Sequence, residues 1–291
     1  MGAKYKVFWG CMIATVEYGY EVSVREVFPK LGVELVELGW NACCGYPLMQ
    51  VSTRVWLYLA SRILAEAQKS GYPLFVPCNG CHISLCEAQH ILAARDELAG
   101  WVNELLWEEG LEFDPSNQVR ILHTIEVLHD EIGLEKVKSV VTKPLGFKVA
   151  CHYGCHIIRP ADFPRVDDAE KPTKMEAILE AIGAKTGDYP ERLECCGAGA
   201  NVVEPELVAR LCGWKLKAVK ARGFDALVTS CPACQANYDA RQDVIRQVMN
   251  DPEISLPVFY LTQLVGLAMG IEPRKLGLDL NKSPVENLVN L

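Results

Sequence analysis

The feature that most limits what this chain can fold into is a set of five cysteines that occurs twice, in the same order. The first half runs Cys11, then the adjacent pair Cys43-Cys44 with Gly45 behind it, then CNGC from Cys78 to Cys81. The second half runs Cys155, then Cys195-Cys196 with Gly197, then CPAC from Cys231 to Cys234. After each CxxC comes another shared stretch, VRILHTIEVLHDEIG from Val119 and LPVFYLTQLVGLAMG from Leu256. Each reads as a short strand, a Thr at a helix start, an apolar-periodic helix and a terminal Gly. One long unit repeated once is a duplicated domain, not a solenoid. The expected domains are residues 1–146 and 147–291, divided where Pro144 and Gly146 interrupt VVTKPLGFKVA.

Each cysteine group follows a short apolar run. KYKVFWGC, VELVELG and YPLFVPCNGC read as strands that empty into the thiols, and GFKVACHYGC and FDALVTSCPAC repeat the arrangement. Between them lie TRVWLYLASRILAEAQKSG and ELVARLCGWKLKAVKARG, helical in period and each ending at Gly. Strands alternating with helices predict an α/β protein, with two homologous Rossmann-like βαβ domains and parallel sheets. Sites in such sheets form outside the carboxyl ends of the strands. Five thiols from three separated segments are therefore expected at one sheet edge in each half. The helices that start there would direct their amides at thiolate or sulfide charge.

Composition narrows the chemistry. The net charge of −8 argues against nucleic acid or an anionic membrane as the main partner. No apolar run reaches the length of a membrane span, and MGAKYKVFWGC lacks the apolar core of a secretory signal. A cytoplasmic location is the expectation. There, 13 cysteines stay reduced, and an odd number fits full pairing poorly. Structural zinc would take four ligands and leave the adjacent pairs without a role. A thioredoxin-like CxxC would account for two thiols of each five. Plain core packing suits Cys86 and Cys212, each inside an apolar helical stretch, and Cys151 is intermediate. Iron–sulfur chemistry suits soft thiolates, and five ligands with two adjacent point away from an ordinary four-cysteine cube.

The pattern resembles the heterodisulfide reductase B subunit (HdrB), built from two cysteine-rich CCG domains. The resemblance covers the whole chain and rests on both five-cysteine sets, HYGCH at His152–His156, CCGAG at Cys195–Gly199 and the ordered CxxC motifs. It implies two non-cubane [4Fe-4S] clusters. By motif match, one would be held by Cys11, Cys43, Cys44, Cys78 and Cys81, the other by Cys155, Cys195, Cys196, Cys231 and Cys234. It also implies reduction of the coenzyme M–coenzyme B disulfide to two thiols, a reaction of methanogenesis. Electrons would come from a ferredoxin-like HdrC-type subunit and a flavin-containing HdrA-type subunit of an electron-bifurcating complex, with a hydrogenase or formate dehydrogenase module as a further partner. The chain has no G-x-G-x-x-G, in keeping with electrons supplied by partners. An electron relay, or reduction of another disulfide or sulfur compound, is the alternative.

His82, His152 and His156 lie beside the cysteines. They are candidates to protonate a leaving thiolate or to hydrogen-bond a cluster sulfur, with HYGCH favouring His156. The plainer expectation is that they orient backbone or fill space around the site. The stretch from Glu272, EPRKLGLDLNKSPVENL, has little core pattern and is expected to be extended and bound to a partner, or merely loose.

Overall fold

The structure, a computed structural model, describes residues 2–160 and 165–290. In chain order the elements begin with β1 (Ala3–Val7), α1 (Gly10–Thr15), α2 (Tyr18–Val27), β2 (Val33–Glu37) and α3 (Thr53–Ser70). There follow β3 (Leu74–Phe75), α4 (Asn79–Ala94), α5 (Asp96–Trp107), β4 (Ile121–Leu122) and α6 (Thr124–Glu126). A π-helical segment, Val127–Gly133, leads into α7 (Leu134–Ser139). The rest comprises β5 (Val149–His152), α8 (Lys174–Ala181), α9 (Pro205–Ala221), β6 (Ala226–Thr229), α10 (Pro232–Tyr238), α11 (Gln242–Met249), β7 (Val258–Tyr260) and α12 (Leu261–Ala268).

The strands form two parallel sheets, as the alternation of strand and helix requires. One has the order β2-β1-β3-β4, the other β5-β6-β7. Buried strand residues such as Val7, Phe75, Val149, Leu227 and Phe259 form the floor, and the apolar stripes of α3 and α9 supply further core. In the second sheet the counterpart of β2 is reduced to a single bridge, Lys148 to Lys185. Gly187 and a 3-10 turn opened by Pro190 end extended structure there.

The chain packs as two compact units: Met1–Cys11 with Gly32–Thr124, and Met12–Leu31 with Ile125–Leu291. The packing units thus differ in membership from the sequence repeat, because residues 12–31 and 125–146 belong with the second unit. The reason is specific packing: Tyr20 stacks on Tyr260 with ring centroids 4.2 Å apart, and Ser23 Oγ lies 2.6 Å from Thr262 Oγ1.

Two local expectations change. The helix after β7 starts at Leu261, with Gln263 Oε1 reaching back to accept from Tyr260 N at 2.9 Å, so Thr262 is not the helix start. The stretch from Glu272 is not loose. Leu276, Leu278 and Val285 are buried, and Asp239 accepts hydrogen bonds from Lys282 N, Ser283 N and Ser283 Oγ. Ser283 Oγ in turn accepts from Val258 N, satisfying a backbone donor of β7.

Candidate iron–sulfur sites

In the first unit, Cys11 follows the end of β1, the Cys43-Cys44 pair lies in the loop after β2, and Cys78 is the N-cap of α4 just past β3. Cys81 lies one turn into that helix. The five thiols come together: Cys44 lies close enough to Cys43 and Cys81 for each to perturb the other's proton affinity, Cys81 stands in the same relation to Cys78, and Cys11 is within electrostatic range of Cys43. Backbone must approach closely to allow this. A Cβ at Gly10, where φ is 71°, would stand 2.7 Å from Cys81 Sγ.

The second unit repeats the arrangement. Cys155 Sγ lies 3.7 Å from Cys195 Sγ, and Cys195, Cys196, Cys234 and Cys231, the last at the N-cap of α10, perturb one another's proton affinity in turn. The adjacent pairs are held alike in both units. Gly45 N donates to Cys43 Sγ at 3.4 Å, and Gly197 N to Cys195 Sγ at 3.2 Å. The carbonyl of the second cysteine is gripped three residues beyond the CxxC in each case. Ser84 Oγ donates to Cys44 O at 2.7 Å, and Asn237 Nδ2 to Cys196 O at 3.0 Å.

The thiols perturb one another in opposite senses. A hydrogen bond with Cys44 pushes Cys43 up, while bonds from Cys43 and Cys81 hold Cys44 well below the usual thiol range. Likewise Cys195 is pulled down by Cys155 and Cys196, and its neighbours Cys155 and Cys196 are pushed up. Sulfurs this close share protons, since repulsion forbids all five from ionising side by side. A multi-cation group removes that repulsion. None of the 13 cysteines is committed to a disulfide. The soft, crowded and largely buried donor set therefore fits an iron–sulfur cluster in each unit.

The remaining cysteines stand apart from these sets. Cys86 Sγ is 3.7 Å from His82 Nδ1. Cys151, buried in β5, is pushed up by burial and by Glu176. Cys212 is buried in α9 and its S–H donates to Cys196 O at 3.3 Å.

The three histidines have different settings. His82 is buried and meets His123 edge-on, 5.8 Å between centroids. His152 is buried, with Nδ1 3.0 Å from Lys215 Nζ, and burial holds it well below the usual imidazole range. His156 is half-buried, with Nδ1 3.5 Å from Cys155 Sγ, and its carbonyl accepts from Arg165. Sequence reasoning missed Lys215, which is 1% exposed. The signal was present: Lys215 falls in phase with Val208, Cys212 and Val219 on the buried stripe of α9. In the first unit, an open pocket lined by Trp9, Glu37, Trp40 and Asn41 adjoins Gly10, whose carbonyl accepts from Asn41 Nδ2 at 2.9 Å.

Fold and thiols together define a duplicated cysteine-rich redox protein. The cysteine-rich CCG domain family matches residues 5–86 and 149–239. The chain is 35% identical over 283 residues to the B subunit of the ferredoxin/F(420)H(2)-dependent CoB-CoM heterodisulfide reductase of Methanosarcina acetivorans, covering 96% of this chain and 93% of that protein. It is 31% identical to the 8-methylmenaquinol:fumarate reductase membrane anchor subunit of Wolinella succinogenes, with 97% of each chain covered. A crystal structure of a hypothetical protein from Helicobacter pylori shares the fold, with a TM-score of 0.76 at 17% identity. That likeness covers 96% of this chain and 52% of the other. The chain belongs to the HdrB family of two-CCG-domain heterodisulfide reductase subunits, oxidoreductases that act on a disulfide. Among the described residues, no helix is long and apolar enough to cross a membrane.

Proposed function

We propose that the protein is the disulfide-cleaving subunit of a heterodisulfide reductase complex, acting on the coenzyme M–coenzyme B disulfide. The observation that carries this is the pair of matching five-thiol sets, one in each unit. The ten cysteines of these sets would hold two non-cubane [4Fe-4S] clusters. Such groups supply one-electron steps and iron open to a substrate sulfur. The balance is R–S–S–R′ plus two electrons and two protons, giving RSH and R′SH, and two one-electron sites match it. The protein's own part is to hold the thiolates and to move protons. His156 would protonate a leaving thiolate, a role supported by its partial exposure and its position beside Cys155. His82 and His152 are buried and serve the surroundings of the thiols. Electrons would come through a ferredoxin-like subunit and a flavin-containing subunit, with a hydrogenase or formate dehydrogenase module beyond, in the reducing cytoplasm where free thiols persist.

A second reading, an electron relay that never meets a small disulfide, is favoured by the 31% identity to a fumarate reductase subunit. Anaerobic purification with iron and sulfide analysis, followed by an assay of the heterodisulfide with an artificial donor, separates the two. Roughly eight irons, four per cluster, with turnover is the expected result. The same irons without turnover would favour the relay, and zinc in their place would remove both readings.

A further inference from the structure

We propose that Lys215 and His152 form a charge-and-donor pair beneath the second thiol set, and that this pair makes the second site the more readily reduced of the two. The inference rests on the reading above that each set holds an iron–sulfur cluster. A lysine ammonium has three N–H donors and no acceptor. Three acceptors face Lys215 Nζ: Glu194 O at 2.7 Å, Arg192 O at 3.4 Å and His152 Nδ1 at 3.0 Å. With a donor at Nδ1, the single proton of the neutral ring must sit on Nε2. That nitrogen is buried and has no hydrogen-bond partner within the protein. One ring nitrogen of His152 lies within 4.8 Å of Sγ of both Cys196 and Cys234. A buried N–H without an acceptor is costly, and a cluster sulfur among those thiols supplies one.

The same geometry decides between donor and ligand. A histidine that ligates metal passes its other ring N–H to a carboxylate or carbonyl. His152 meets an ammonium there, so Nε2 keeps its proton and donates.

The first site lacks this pair. Counted from Cys11 and Cys155, the residue matching His152 is Phe8. Counted from the CCG motifs, the residue matching Lys215 is Ile63. Both are buried. Among the described residues, Lys215 is the one buried lysine or arginine. His82 and His123, the buried imidazoles of the first unit, meet edge-on, and Cys86 also lies beside His82. Reduction adds negative charge, and a buried cation beside a buried N–H stabilises that state. Arg192 is engaged by Glu176 at 3.0 Å, and the Glu194 carboxylate that also acts on Lys215 is exposed, where solvent screens it.

The test is an anaerobic redox titration, read by EPR, of the holoprotein and of K215M. Wild type should show two steps at separate potentials. K215M should lower the higher one, leave the lower one in place and retain full iron and sulfide. If K215M does not fold or loses iron, H152F, which copies Phe8 of the first site, carries the same expectation. Full iron with both potentials unmoved, or with only the lower one moved, would overturn the inference. So would an EPR hyperfine signature of nitrogen bound to iron that vanishes in H152F. Absence of iron and sulfide from wild type would instead overturn the cluster reading itself.

Discussion

Cys196 and Cys212 share one carbonyl yet have opposite chemical settings. Cys196 contributes its thiol to the crowded set with Cys195 and Cys234, whereas Cys212 donates to Cys196 O and faces the core of α9. Burial pushes Cys212 up to about 12, so it stays a neutral, unreactive thiol at physiological pH. Cys212→Ala should leave iron content unchanged and cost about 1 kcal/mol, because Asn237 still satisfies Cys196 O. Cys196→Ser should lose the iron of the second site while the first remains loaded. Iron and sulfide analysis with thermal unfolding of both variants reads this contrast, and equal iron loss in the two would contradict it. At this scale the ten thiols were legible because order and spacing repeat, and repetition cannot come from packing alone. Lys215 was not, because its meaning depends on what α9 covers: His152 arrives from β5 and the Arg192 and Glu194 carbonyls from a distant turn.

The turns after the paired cysteines are alike in backbone but unlike in surroundings. Gly45 has φ of 80° and Gly197 of 76°, a left-handed conformation that disfavours a side chain by about 1–2 kcal/mol. A Cβ at Gly45 would stand 2.9 Å from Trp56 Cδ1 and 3.1 Å from Trp56 O. At Gly197 the nearest atoms would be side-chain carbons only, Val208 Cγ2 at 3.2 Å and Leu211 Cδ1 at 3.4 Å, with no backbone atom among them. At Gly45 backbone is in the way, and the Trp56 ring is also fixed, since its Nε1 donates to Ser84 Oγ at 2.9 Å, and Ser84 holds Cys44 O. Gly45→Ala should therefore lower Tm more than Gly197→Ala and also weaken iron retention in the first site. Melting curves with iron analysis would show this, and a larger loss from Gly197→Ala would contradict it. Strand–thiol–helix order was readable at this scale because local patterns encode it. The lost counterpart of β2 and the ordered stretch from Glu272 were not, since edge bridges and tail docking depend on distant partners such as Asp239 and Val258.

At the scale of the whole molecule, the segment Met12–Leu31 is close to the cysteines of the first set in sequence but packs in the second unit. No local periodicity marks that exchange. Its carboxylate, Glu17, accepts a hydrogen bond from Tyr260 Oη at 2.6 Å, and Tyr20 Oη donates to Ser230 O at 3.1 Å beside Cys231. Burial raises Glu17 to about 7 from 4.5, against the opposing pull of Tyr260. The sign of the pH effect follows. Below about 4.5 the carboxyl is protonated in both folded and unfolded chains, and nothing is lost. As pH rises toward 7, the unfolded chain releases this proton first, so the folded state loses stability, and the loss is complete above the folded value. At about 1.4 kcal/mol per pH unit, the full loss is on the order of 3 kcal/mol. Glu17→Gln keeps an acceptor for Tyr260 and removes the charge. Its Tm should match wild type near pH 4.5 and exceed it increasingly up to about pH 8, by roughly 2–4 °C per kcal/mol. Asp239, also raised by burial, is common to both proteins and drops out of the difference. A Tm difference that stays constant across this range would mean that Glu17 does not carry its charge in the folded protein's interior, and that residues 12–31 are tied to the second unit by the Tyr20–Tyr260 and Ser23–Thr262 contacts alone.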